Sequence, residues 1–90
     1  MYSWDATKSK RNQLKHGISF EEAEKYIFER KNILVPAVAY DKGEKRYAVI
    51  GKYKEKYYVG IFTITLQGIR IISVRRARNE EEKQAKEKGI

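Results

Sequence analysis

Apolar positions change period once along the chain, from helical spacing near the N-terminus to strand-like runs from residue 33 onward. This predicts an α+β domain. Tyr2-Ser3-Trp4 reads as a short extended segment. Asp5 is placed to cap a helix from about Ala6 to His16, and Gly17 suits the left-handed position that ends it. Only Ala6 and Leu14 are apolar in that stretch, so the helix belongs on the surface. Lys8, Arg11 and Lys15 recur at i, i+3 and i+7 and stack along one side of it. Ser19-Phe20-Glu21-Glu22 is a capping-box pattern opening a second helix to about Glu29. Its inward stripe is Phe20, Ala23 and Ile27, with Tyr26 beside it.

From Ile33 the residues are β-branched and aromatic, and turn signals cut the run into four strands. Pro36 lacks a ladder donor, so the strand Ile33 to Tyr40 is expected at a sheet edge or with a bulge. A turn at Asp41-Lys42-Gly43-Glu44 leads to a strand over Lys45 to Gly51. A polar turn at Lys52 to Glu55 leads to Lys56 to Leu66, the longest and most apolar strand and hence the central one. Gln67-Gly68 is read as a tight hairpin into Ile69 to Arg76. Asn79 is expected to cap a last helix with Glu80, Glu81 and Glu82 in its first turn and Lys83, Lys86 and Lys88 beyond. That helix has almost no apolar face, so it is expected to fray or to be held by a partner. The expected architecture is α+β: two N-terminal helices and a short C-terminal helix packed on an antiparallel sheet of about four strands plus a short N-terminal strand.

Ninety residues bound this to a single domain, 1–90, with one modest core and no internal cofactor chamber. No cysteine is present, which removes disulfide scaffolds and thiolate metal sites. The longest apolar runs, Ile33 to Ala39 and Val59 to Leu66, fall far short of the roughly 20 residues that span a bilayer, and the chain reads as cytoplasmic. The net charge of +8 favours a polyanionic partner, nucleic acid first.

The excess is uneven: +1 over residues 1–30, +4 over 31–60 and +3 over 61–90. Four of the seven arginines, Arg70, Arg75, Arg76 and Arg78, fall in a nine-residue span without an acid. Strict alternation would put Arg70 and Arg76 on one face with Ile72 and Val74, and Arg75 on the other. Arginine stems also cover apolar surface with the head in water. Clustered on one strand, however, their rigid forks suit phosphate oxygens and keep their charge at neutral pH. Arg46 and Glu44 share a face two residues apart, either as an exposed ion pair or as anion clamp and proton acceptor. His16, the only imidazole, stands at a helix end as a cap or as a titrating group. The residues near it offer no metal set, and the chain has no Gly-rich phosphate loop or nucleophile elbow. Tyr47, Tyr53, Tyr57 and Tyr58 are either packing residues or stacking faces for unpaired bases.

Trp4-Asp5, Lys8, Asn12, Lys15 to Ala23, Gly43-Glu44-x-Arg46, Gly51, the run Ile69 to Ala77 and Glu81 together resemble the BrnT family, the toxin half of a type II toxin–antitoxin system. The resemblance covers residues 3 to 82. It implies a RelE-like fold, metal-independent ribonuclease activity without a cofactor, and neutralisation by a cognate BrnA-like antitoxin of ribbon-helix-helix type. It also implies that operator DNA is bound only through the antitoxin complex. Val74 stands where the family usually has Ala, and Ala85 falls in the region where relatives tend to place a Tyr.

RNA carries its own nucleophile, so a protein need only move protons and stabilise a charged five-coordinate phosphate. The candidate catalytic set is therefore Arg46, Arg70, Arg75 and Arg76 as anion clamp with His16 or Glu44 as proton-transfer groups. Lys8, Arg11, Lys15, Arg78 and Tyr53 are candidate RNA contacts. The alternative is a non-catalytic module that binds nucleic acid or antitoxin and acts in autoregulation. Membrane binding is disfavoured, since no exposed apolar stripe runs along a basic helix.

Overall fold

The computed structural model describes the backbone of residues 1–41 and 43–90 and the side chains of 1–35 and 43–90. Five strands form one mixed sheet: β1 (Tyr2–Ser3), β2 (Asn32–Asp41), β3 (Glu44–Tyr53), β4 (Lys56–Thr65) and β5 (Gly68–Arg76). Their spatial order is β1-β5-β4-β3-β2, with neighbouring long strands antiparallel and β1 parallel to β5. The apolar strand β4 is central, as its composition predicts. The Pro36-containing strand β2 lies at an edge, and its register with β3 shifts between Val35 and Ala39. The expected turn at residues 41–44 includes Lys42, which lies outside the described residues. The β4–β5 turn falls one residue earlier than Gln67-Gly68: Thr65 pairs with Gly68, so Leu66 and Gln67 make the loop.

Helix α1 (Ala6–His16) is capped by the Asp5 carboxylate, which accepts from Lys8 N–H at 3.0 Å, and ends at Gly17 with φ +76°. Helix α2 (Phe20–Ala23) closes the capping box between Ser19 and Glu22. It is shorter than its periodicity predicts because the chain widens into a π-helical turn over Glu24–Phe28. Ile27 packs onto Gly51 and Phe28 onto Gly60. A Cβ added at Gly51 would lie 2.9 Å from Ile27 Cγ2, and one at Gly60 would lie 2.8 Å from the Phe28 ring.

Two apolar layers result, one on each side of the sheet. Ile18, Phe20, Ala23 and Ile27 pack on Val49, Tyr58, Phe62, Ile71 and Val74. On the opposite face Ala85, from α3 (Asn79–Glu87), packs on Ile50, Tyr57 and Val59. Helix α3 begins one residue before expectation, with Arg78 rather than Asn79 at the cap position. It is held by the chain itself. Besides Ala85, an Arg75–Glu81 ion pair fastens its first turn, and the Tyr57 hydroxyl donates to Ile90 C=O at 2.7 Å.

Candidate anion site along β5

The decisive local feature is a one-residue bulge in β5. Ile61 pairs with Ser73 and Phe62 with Ile71, which leaves Ile72 as an extra residue. Alternation changes phase there. Ile71 and Val74, three apart, both enter the layer beneath α2. Arg70 opposes Thr63 and Arg75 opposes Val59, residues of equal parity on unbulged β4, so these two arginines share the face that carries α3. Arg76 opposes Tyr58 on the other face, where its guanidinium lies 5.7 Å from the Tyr58 ring centroid. The expected pairing of Arg70 with Arg76 is thus replaced by Arg70 with Arg75. Strict alternation fails because it assumes an unbroken ladder.

Strand β1 stops at Ser3, opposite Arg70, and α1 then runs along the β5 edge that β1 leaves uncovered. An almost wholly polar helix stays there through two buried polar residues. Asn12 donates to Ile18 C=O at 2.8 Å and accepts from Val74 N–H at 3.1 Å; Ser9 Oγ accepts from Phe20 N–H at 2.9 Å. Satisfying these three backbone groups in a buried setting replaces the missing apolar stripe. Leu14, one of its two apolar residues, is left exposed.

Two concavities line the α1–β5 seam and share Lys8 and Ile72. A recess of about 160 Å³ is bounded by Asp5, Lys8, Arg46, Arg70, Ile71 and Ile72. A shallower groove of about 300 Å³ includes Lys8, Arg11, Lys15 and His16, and no carboxylate lines it. Glu44, which does not itself line the recess, pairs with both of its guanidinium groups. Arg70 Nη2 donates to its two oxygens at 3.3 and 3.0 Å, and Arg46 Nη2 lies 3.7 Å away. Arg70 stands opposite Thr63, which is buried and donates to Lys45 C=O at 2.9 Å.

His16 is half-buried, and burial, then the charges of Lys15 and Arg75, hold its pKa below the ordinary 6.5. These effects outweigh the helix dipole, which would favour the cation. His16 lies eight residues from Lys8, about 12 Å along the helix axis. The structure therefore brings Arg46, Arg70, Glu44 and Lys8 together and sets His16 at the far end of the groove.

Four other candidates line neither concavity. Arg75 is bound to Glu81 at 2.8 and 2.9 Å, and Arg76 lies on the opposite face. Arg78 is exposed at the start of α3. Tyr53 corrects an expectation: its ring stacks on Tyr26 at 4.8 Å, its hydroxyl donates to Glu22 at 2.8 Å, and only 9% of it is exposed. It offers no face to a base. Sequence reasoning passed over Asp5 as a site residue, seeing only its cap, and gave Asn12 no docking role.

Among the described residues no group of three or more His, Cys, Asp or Glu could hold a metal ion, and no helix is long and apolar enough to cross a membrane. Compared with known families, residues 4–81 match the model described as "Ribonuclease toxin, BrnT, of type II toxin-antitoxin system". No curated protein matches the chain.

Proposed function

The chain belongs to the BrnT family of ribonuclease toxins of type II toxin–antitoxin systems, and on that basis we propose that the α1–β5 seam is its RNA-cleaving surface. The observation carrying this reading is the recess in which Arg46, Arg70 and Lys8 converge. Three cations around a phosphate-sized space stabilise the extra negative charge of a five-coordinate phosphorane, and the 2′-hydroxyl of RNA supplies the nucleophile. No metal is required for that division of labour.

Lys8, Arg11 and Lys15 continue from the recess along α1 and hold the neighbouring phosphates of a single strand. His16 serves that neighbouring position rather than the reacting one. Arg75 and Arg76 act by building the strand: Arg75 fixes α3 and Arg76 covers Tyr58. A BrnA-like ribbon-helix-helix antitoxin would neutralise the toxin, with operator DNA bound through that complex.

The test is incubation of the purified protein with a long single-stranded RNA at low salt in EDTA. Cleavage to fragments ending in 2′,3′-cyclic phosphate is expected, and the double variant Arg46→Ala, Arg70→Ala should lose at least tenfold in rate. RNA that stays intact with wild-type protein overturns the reading. Growth arrest on expression without antitoxin separates it from the non-catalytic binding module, which would be harmless.

A further inference from the structure

We propose that Asp5 is the carboxylate that takes the proton from the attacking 2′-hydroxyl, an assignment that rests on the ribonuclease reading above. Backbone pairing fixes its position. Ser3 is in register with Arg70, and Asp5 follows two residues later at the mouth of the recess that Arg70, Arg46 and Lys8 line. Its Oδ1 accepts the Lys8 N–H at 3.0 Å, which tethers the carboxylate, while Oδ2 has no hydrogen bond or ion pair among the described residues. A tethered carboxylate with one open oxygen beside an anion clamp meets the geometric requirement for a general base.

The other proton acceptors are placed less well. Both oxygens of Glu44 are bonded to Arg70, so protonating Glu44 would dismantle the clamp as charge builds on phosphorus. His16 stands two helical turns away.

In the step proposed, Oδ2 of Asp5 receives the 2′-hydroxyl proton as a lone pair on the 2′-oxygen forms the bond to phosphorus. The bond from phosphorus to the 5′-oxygen breaks, its electron pair stays on that oxygen, and solvent water protonates it. The products are a 2′,3′-cyclic phosphate and a 5′-hydroxyl.

The structural and chemical roles of Asp5 separate cleanly by substitution. Asn and Ser cap helices about as well as Asp, so Asp5→Asn and Asp5→Ser keep α1 in place and remove the base. Both variants should melt close to wild type and bind a non-cleavable 2′-methoxy oligoribonucleotide at least as tightly, since a negative charge leaves the recess. Their kcat should fall at least a hundredfold. A cap acting only structurally predicts the reverse: full turnover in both variants and loss only in Asp5→Ala. Turnover within threefold of wild type in Asp5→Asn overturns the assignment. Wild-type protein that cleaves no RNA overturns the ribonuclease reading instead.

Discussion

Arg75 and Glu81 meet in a two-point ion pair, Nη1 to Oε1 at 2.8 Å and Nη2 to Oε2 at 2.9 Å. The side chains are 27% and 24% exposed, and Glu81 also accepts the Arg78 N–H at 2.8 Å. One carboxylate therefore starts α3 and fastens it to β5. Glu81→Gln should cost about 1–2 kcal/mol in urea denaturation at pH 7, the range for a charge-assisted pair still partly reached by water.

Acid sensitivity follows from the same pair. Hydrogen bonds from Arg75 first, and then from Arg78 N–H, outweigh burial and hold the Glu81 carboxyl below its ordinary 4.5. Stability from such a group is present above the unfolded value and is lost as pH falls through the lowered folded one. Urea midpoints should drop below about pH 4.5 in wild type and drop less steeply in Glu81→Gln. Part of the slope should survive in the variant, because Glu22 is also held down, chiefly by Ser19 N–H. Parallel acid slopes for the two proteins would contradict this.

His16 should titrate below 6.5 by NMR, where the chain's single imidazole gives one resolvable ring. Lys15→Ala should move the midpoint upward. Because the folded protein resists this protonation, stability declines as pH falls from 6.5 toward the folded midpoint. Phosphate binding in the groove favours the cation and should raise the midpoint. A midpoint at or above 6.5 in the free protein would exclude the lowered value.

Asn12→Ala should destabilise by about 2–3 kcal/mol, since it orphans Val74 N–H and Ile18 C=O together. Asn12→Leu should not recover the loss, although it adds apolar volume. Recovery by leucine would mean that α1 docks by packing alone.

The helix boundaries of α1, the capping box of α2 and the central place of β4 were legible because each is set by residues close in sequence. What escaped reading depends on contacts across the sheet. The π-helical turn follows from Ile27 and Phe28 seating on Gly51 and Gly60, 24 and 32 residues away. The bulge at Ile72 exists only relative to β4, so alternation put Arg75 on the wrong face. The cationic residues of the site were visible in composition and spacing. Asp5 was read as a cap, which it is; its nearness to Arg70 comes from the parallel pairing of a two-residue strand.

The extra residue at position 72 makes the site depend on strand register as well as on side-chain identity. Drawing Ile72 into the ladder opposite Ile61 would change no charge, yet it would turn over everything downstream in β5. Val74 would leave the layer beneath α2, Asn12 would lose its N–H partner, and Arg75 would swing away from Glu81. A conservative substitution at Ile72 disturbs one side chain, and its deletion leaves Val74 and Arg75 on their present faces, whereas an Ile72 paired in the ladder disconnects both α1 and α3 from the sheet.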